Sequence, residues 1–317
     1  METQEFESHL NKKVIFLEKI FGKLYVRPSR DKKNINVRCP ICDKNNGKLK
    51  LAIRTVDDLA HCWVCGWSSR TLIPILLKYH KNFAEEYKNN FCDIQFKFEE
   101  YKEELKLPND FVLLAAEKDR RKYFNFFGFL KNRNMREEDL WRYKFGVSFN
   151  DVYKNRIIIP SFDRNGNLNY FTARAIYDSK IRYLTCGHAK TEIIFNEIYL
   201  DFRKPIKICE GPFDMIKLGD NATCLQGSEL NETSKLFEEI LFYETPVILC
   251  LDSDMKLKSQ MIARKLEEYN IKVKILDLGN RHDPGELSKV EAKELLNNNC
   301  YEYSWDRMIQ QKINSIR

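Results

Sequence analysis

The chain has 317 residues, 43% of them hydrophobic, enough for about two or three small folded domains. Its 53 Lys and Arg against 46 Asp and Glu leave a net charge of +7, a mild basic excess that suits a nucleic-acid partner without requiring one. The stretch Met1 to Leu10 is polar and no apolar run reaches bilayer length, which argues against a secretion signal or a membrane span. The expected compartment is the cytoplasm, where the 10 cysteines should be thiols or metal ligands rather than disulfides.

Within residues 1–30, Phe6, Leu10, Val14, Leu17 and Ile20–Phe21 recur at helical spacing. A cysteine-bearing module follows over about residues 32–70, with β-prone pieces at Leu49–Arg54 and Leu59–Val64. Leu72 to Tyr87 is again helical in pattern. Residues 88–110, rich in Lys, Glu and Asn and broken by Pro108, read as a charged linker. From 111 to 150 the apolar spacing predicts helices. Arg156–Asp163 and Leu168–Arg174 are strands joined by the turn Arg164-Asn-Gly-Asn167. Beyond residue 204, strands at Ile206–Cys209, Ala222–Leu225, Val247–Leu251 and Val273–Leu276 alternate with helices at Asp214–Leu218, Leu230–Leu241 and Lys258–Tyr269. That alternation predicts a mostly parallel sheet covered by helices. There is no Gly-rich Lys-Ser/Thr phosphate loop, which speaks against an NTP-driven motor in this chain.

Cys39-Pro-Ile-Cys42 and Cys62-Trp-Val-Cys65 are two CxxC pairs separated by 19 residues. Each pair can sit on a tight knuckle with both thiolates facing one ion, and two knuckles make a tetrahedral zinc site. Gly66 follows the second pair, where a left-handed residue closes such a knuckle. Four protein ligands leave no open position, so the site is structural, and the module should unfold without its metal. His61 is a conceivable competing ligand, but the symmetry of the cysteine pairs argues against it. Arg38, Lys44, Lys48, Lys50, Arg54, Trp63, Trp67 and Arg70 surround the cysteines. Basic groups there can meet phosphates and exposed indoles can stack on bases. Trp63, between two ligands, is expected to pack inward instead, while Lys50 and Arg54 fit a phosphate contact and a solvated face equally well.

Three acidic motifs follow strands of the C-terminal sheet: Glu210-Gly-Pro-Phe-Asp214, Asp252-Ser-Asp254 and His282-Asp283-Pro-Gly-Glu286. In open α/β sheets ligands bind beyond the carboxyl ends of the strands, so all three motifs should meet at one edge. Crowded carboxylates repel unless a hard cation neutralises them, which implies Mg²⁺ or Mn²⁺. Taken singly, an Asp after a strand is more often a turn or a helix cap, and Asp214 and Asp254 fit that description too.

The order Glu-Gly-x-x-Asp, Asp-x-Asp, Asp-Pro-x-Glu resembles the Toprim fold of primases, topoisomerases and some nucleases. Arg156-Ile-Ile-Ile-Pro-Ser-Phe-Asp163, Gly166, Phe171-Thr-Ala-Arg174-Ala and Lys180-Ile-Arg182-Tyr-Leu resemble the basic motifs of bacterial and phage primases. With the zinc module in front, the resemblance covers roughly residues 36–290 and is nearest to the free-standing primases of tailed phages. One departure stands out: where the family often carries a second acid or Asn in its third motif, this chain has Gly285, with Glu286 beside it.

The resemblance implies an α/β chain in parts: an N-terminal helix and zinc ribbon over 1–87, the linker 88–110, a mixed α+β basic subdomain over 111–203, a Toprim-like parallel-sheet domain over 204–290 and a tail, 291–317. It implies primer synthesis from NTPs on a single-stranded DNA template, by two-metal nucleotidyl transfer, alongside a replicative helicase acting in trans. Asp252, Asp254 and Asp283 would bind Mg²⁺ or Mn²⁺, with Asp214 an outer ligand. Glu210 would bind metal or take the proton of the attacking hydroxyl. Arg156, Arg174, Lys180 and Arg182 would hold triphosphate or template, though strand-end cations are as often only solvated. Arg174 stands apart, since an unpaired charge inside an apolar strand is costly. Cys92, Cys186, Cys209, Cys224, Cys250 and Cys300 read as buried thiols. A Toprim nuclease, a topoisomerase and a zinc-ribbon protein that only binds DNA are the alternatives.

Overall fold

The computed structural model describes residues 2–42, 48–92, 105–227, 229–281 and 283–305. They belong to two compact units, one of residues 1–101 with 231–233 and 237–242, the other of 102–230 with 234–236 and 243–317. The expected linker lies largely outside the described residues.

In the first unit the helix α1 (Glu2–Phe21) precedes five short strands: β1 (Val26–Pro28), β2 (Asn34–Arg38), β3 (Leu49–Arg54), β4 (Ala60–Cys62) and β5 (Ser68–Ser69). They form one antiparallel sheet in sequence order. Alternation sets the face: Ile35, Val37, Leu51, Ile53, Ala60 and Cys62 are buried, and the residues between them are not. The helices α2 (Ile73–Tyr79) and α3 (Ala84–Tyr87) follow. Inside this unit the Lys13 ammonium and the Tyr87 hydroxyl both donate to the buried Asp58 carboxylate, tying α1 and α3 to the turn between β3 and β4. A buried ion needs such partners, since leaving it alone costs several kcal/mol or about that order.

The second unit begins with β6 (Val112–Leu113), α4 (Phe124–Asn132), α5 (Glu137–Arg142) and β7 (Gly146–Val147). Here the all-helical expectation for 111–150 needs correction. Its two ends pair with each other, Val112 with Val147 and Leu113 with Gly146, and continue the sheet of the hairpin β8 (Arg156–Phe162) and β9 (Leu168–Ala175). Gly146 makes this pairing possible: a Cβ there would lie 2.2 Å from the Phe111 ring and 2.6 Å from the Val112 carbonyl oxygen. Strand β10 (Tyr183–Thr185) closes the sheet, in the order β10-β9-β8-β7-β6.

The remaining elements are β11 (Ile206–Cys209), α6 (Pro212–Leu218), β12 (Ala222–Cys224), α7 (Lys235–Tyr243), β13 (Val247–Leu249), α8 (Lys256–Glu267), β14 (Val273–Leu276), α9 (Lys289–Asn298) and β15 (Cys300–Glu302). Their sheet runs β12-β11-β13-β14-β15, parallel except for β15. The expected parallel sheet is therefore present, with an antiparallel edge strand formed by residues that read as a tail. Because β11, β13 and β14 are parallel, their carboxyl ends open on the same edge. Cys209, Cys224 and Cys250 are buried as expected, while Cys92, Cys186 and Cys300 are half-buried. No helix of the described residues is long and apolar enough to cross a membrane.

Candidate active site and metal centre

The end of β2 and the turn after β4 bring Cys39, Cys42, Cys62 and Cys65 together, their sulfurs all within 4.8 Å of one another. The second knuckle closes as its glycine suggests: Gly66 has φ +73° and its N–H donates to the Cys62 carbonyl at 3.0 Å. Cys42 Sγ lies 3.6 Å from Cys62 Sγ, and burial with the neighbouring sulfurs pushes the Cys42 thiol up. A cation reverses that cost, since metal ligation needs the thiolate form. The cluster fits a zinc ribbon. Trp63 corrects an expectation: its ring is 74% exposed and meets His61 edge-on at 4.5 Å, rather than packing inward. The reason is local. Cys62 already fills the inward position at the end of β4, so the next side chain points away.

In the second unit, Glu210 follows β11, Asp252 follows β13 and Asp283 lies beyond β14, all at the carboxyl edge. Asp214 stands in the first turn of α6. Burial raises its carboxyl to about 7, with Asp252 and Asp283 adding to the rise and Arg133 opposing it. Burial likewise raises Asp252 to about 6, and the charges of Glu210, Asp283 and Asp254 add to it. Five of the six acids in the three motifs, Glu210, Asp214, Asp252, Asp254 and Asp283, therefore enter one another's field. Among the described residues they do not bring three ligand atoms as close together as the cysteines do. Asp254 and Glu286 are exposed.

Part of this constellation is occupied with capping. Asp214 Oδ2 accepts from Gly211 N–H at 2.8 Å, and Asp283 Oδ1 accepts from Glu286 N–H at 3.0 Å. Other oxygens have no such partner: Glu210 Oε2 and Asp252 Oδ1 are buried without a hydrogen bond. An enclosed carboxylate oxygen with nothing to accept from is costly, and a hard divalent cation is the group that offsets it. The donor set fits Mg²⁺ or Mn²⁺.

Arg174 sits half-buried on β9 with its guanidinium 4.9 Å from the Tyr183 ring centre, and its Nε is enclosed without a partner. Arg156 spends one nitrogen on the carbonyls of Ala173 and Arg182, at 3.3 and 3.5 Å. Lys180 and Arg182 are exposed on the way from β9 to β10.

Arg133 is the residue that reading the motifs missed. It caps the C-terminus of α4, its guanidinium lies 5.1 Å from the Phe129 ring centre and 4.8 Å from that of Phe213, and its charge acts on Asp214, Tyr183 and Arg174. It links Asp214 on α6 with Tyr183 and Arg174 of the neighbouring sheet. No motif marks it; the only hint is a basic residue among aromatic ones in the helical stretch.

No family model matches the chain. In sequence it is similar to the DNA primase of Thermotoga maritima, 28% identical over 198 residues, covering 54% of this chain and 34% of the relative. It is similar also to the DNA primase of Clostridium acetobutylicum, 28% identical over 158 residues, covering 45% of this chain and 26% of the relative. The chain thus spans about a third of the length of the first of these relatives. Among solved structures, the zinc-binding and RNA polymerase domains of the Aquifex aeolicus primase align with a TM-score of 0.43 at 16% identity, over 93% of this chain and 85% of that one. The primase fragment of the bacteriophage T7 primase-helicase aligns with a TM-score of 0.46 at 15% identity, over 81% and 96%.

Proposed function

We propose that this chain, a relative of the bacterial and phage-type DNA primases, is itself a primase that makes short RNA primers from NTPs on single-stranded DNA. The observation that carries the reading is the edge of the parallel sheet. Glu210 and Asp252 each bury an oxygen without a partner there, Asp214 and Asp283 share their field, and Arg133 acts on Asp214 and on Arg174. Mg²⁺ or Mn²⁺ at Glu210, Asp214, Asp252, Asp254 and Asp283 would supply charge neutralisation and an activated 3′-hydroxyl. Arg133 and Arg174, each close to an aromatic ring and the latter with an enclosed, unpartnered Nε, would orient the triphosphate, with Arg156, Lys180 and Arg182 along the template or nucleotide path. Glu210 would bind metal or accept the hydroxyl proton. Cys39, Cys42, Cys62 and Cys65 would hold a structural zinc, and the exposed Trp63 would stack on a template base. A replicative helicase in trans, in the cytoplasm of a bacterial or phage-infected cell, would raise the local template concentration.

Single-stranded DNA, four NTPs and Mg²⁺, with products sized on a gel, test the reading. Short RNA is expected. DNA fragments without new RNA would instead mean a nuclease, which the primase relatives do not favour.

A further inference from the structure

Lys217 lies on α6, three residues after Asp214, and is 1% exposed. A buried ammonium is costly unless its donors are used. Its donors go to two carbonyls at the end of α4: Arg133 O at 2.5 Å and Asn134 O at 3.2 Å. The last carbonyls of a helix have no partner within it, and a cation there also meets the negative end of the helix dipole. The same short helix α6 carries Phe213, whose ring lies 4.8 Å from the Arg133 guanidinium carbon. So α6 grips Arg133 at both ends: a cation on its carbonyl, a ring beneath its guanidinium. Asp214, between Phe213 and Lys217, supplies the negative field that Arg133 faces.

We propose that Lys217 is a positioning residue for the phosphate site: by clamping the backbone of Arg133 and Asn134 it fixes the Arg133 guanidinium where an incoming phosphate meets the acid cluster. The inference rests on the nucleotidyl-transfer reading above and adds a residue that touches no substrate. A lysine that served only to cap α4 would affect stability and leave phosphate affinity alone. A positioning lysine acts through Arg133, so its effect must vanish when Arg133 has no guanidinium.

The test uses the full chain. Binding of inorganic triphosphate and, separately, of a short oligodeoxythymidylate is measured by calorimetry for the wild type, Lys217→Met, Lys217→Gln, Lys217→Arg, Arg133→Met and the double variant Arg133→Met/Lys217→Met. KM and kcat for NTP are measured alongside. Lys217→Met should weaken triphosphate binding and raise the NTP KM by roughly tenfold, the scale of a lost charge-assisted hydrogen bond, with kcat within about twofold. Lys217→Gln should fall between, and Lys217→Arg should restore most of the affinity. In the Arg133→Met background the second substitution should change nothing further. Weakening confined to the oligonucleotide supports the same clamp and assigns the phosphate to the template backbone. Should Lys217→Met fail to fold, Lys217→Gln carries the comparison. Wild-type affinity in the Lys217 variants while Arg133→Met binds poorly overturns the clamp and leaves the primase reading intact. Additive losses in the double variant overturn it as well. Wild-type affinity for both ligands in Arg133→Met would instead overturn the assignment of Arg133 to a phosphate.

Discussion

A Cβ on Gly285 would stand 2.6 Å from Asp214 Oδ1, and 2.9 Å from Asp283 Oδ1. Asp214 Oδ1 occupies the space that a side chain in the third motif would need. The departure noted in the sequence, Gly where an acid or Asn is common, thus coincides with an approach of two acids from different elements. Glu286 does not fill the gap, since its side chain is exposed and it offers Asp283 its N–H.

Gly285→Ala should therefore displace the Asp214 or the Asp283 carboxylate while leaving the sheet folded. Mn²⁺ affinity, followed by electron paramagnetic resonance, should drop about tenfold or more, the range seen when the surroundings of metal ligands are disturbed. Primer synthesis should fall with it. Unchanged Mn²⁺ affinity would show that the approach of the two acids has no bearing on metal binding.

Asp252→Asn should reduce primer synthesis by roughly 100-fold or more, the scale lost when one element of transition-state charge stabilisation is removed. It should also raise the melting temperature of the metal-free protein, because Asp252 is crowded by Glu210, Asp283 and Asp254. Calorimetry in EDTA and a gel assay in Mg²⁺ check the two halves. Near-normal synthesis by this variant would remove Asp252 from the metal site.

The pH dependence follows from Asp214. Its folded carboxyl titrates at about 7, above its ordinary value of 3.8. A raised folded value means the protonated form is favoured by folding, so this stabilisation is full below the ordinary carboxylate range and is lost as pH rises through about 7. Metal-free protein should then melt at a higher temperature near pH 5.5 than near pH 8, and Asp214→Asn should flatten that difference. Added Mg²⁺ should raise the melting temperature more at the higher pH, where the carboxylates are charged. An identical pH profile for Asp214→Asn in EDTA would contradict the burial argument.

Much of this was legible in the residues, and the rest was hidden for physical reasons. The CxxC pairs declare a four-thiolate cluster because knuckle geometry fixes the spacing, and the alternation after residue 204 declares a parallel sheet. That Glu210, Asp214, Asp252 and Asp283 lie at one edge of the sheet follows from parallel strands sharing that edge. Arg133 and Lys217 were invisible because their meaning lies in contacts between α4 and α6, far apart in sequence, and each alone reads as a surface cation on a helix. Val112–Leu113 and Gly146–Val147 read as helix because their apolar spacing is shared with a strand too short to show alternation. Cys300–Glu302 escaped for the same reason.

Cys42→Ser should release zinc and unfold the cysteine-bearing module of about residues 32–70, because metal binding there is coupled to folding of the two knuckles. A fragment beginning near residue 105 should remain folded and extend a supplied primer weakly. Metal analysis of the intact chain should give about one zinc per molecule, as a four-thiolate site requires. Freshly purified protein without zinc, or a Cys42→Ser variant with an unchanged melting profile, would undo this assignment.

The exposed indole of Trp63 provides the last test. It is 74% exposed, meets only the edge of His61 among the aromatic contacts of the described residues, and stands beside a ligand of the cysteine cluster. Removing it should cost the fold little, because the ring covers little of the unit's core. If the ring stacks on a template base, Trp63→Ala should forfeit about 1–3 kcal/mol of single-strand affinity, which is roughly a 5- to 150-fold change in Kd. Trp63→Phe should keep part of that, since a smaller ring still offers a π-face. Tryptophan fluorescence of the wild type should be quenched on adding oligonucleotide, and the quenching should shrink in Trp63→Phe, where only the other three tryptophans report. Raising the salt should weaken both proteins along nearly parallel slopes, because stacking releases no counterions. Equal affinity in Trp63→Ala, or a loss matched by an unfolded first unit, would return this indole to the ordinary surface.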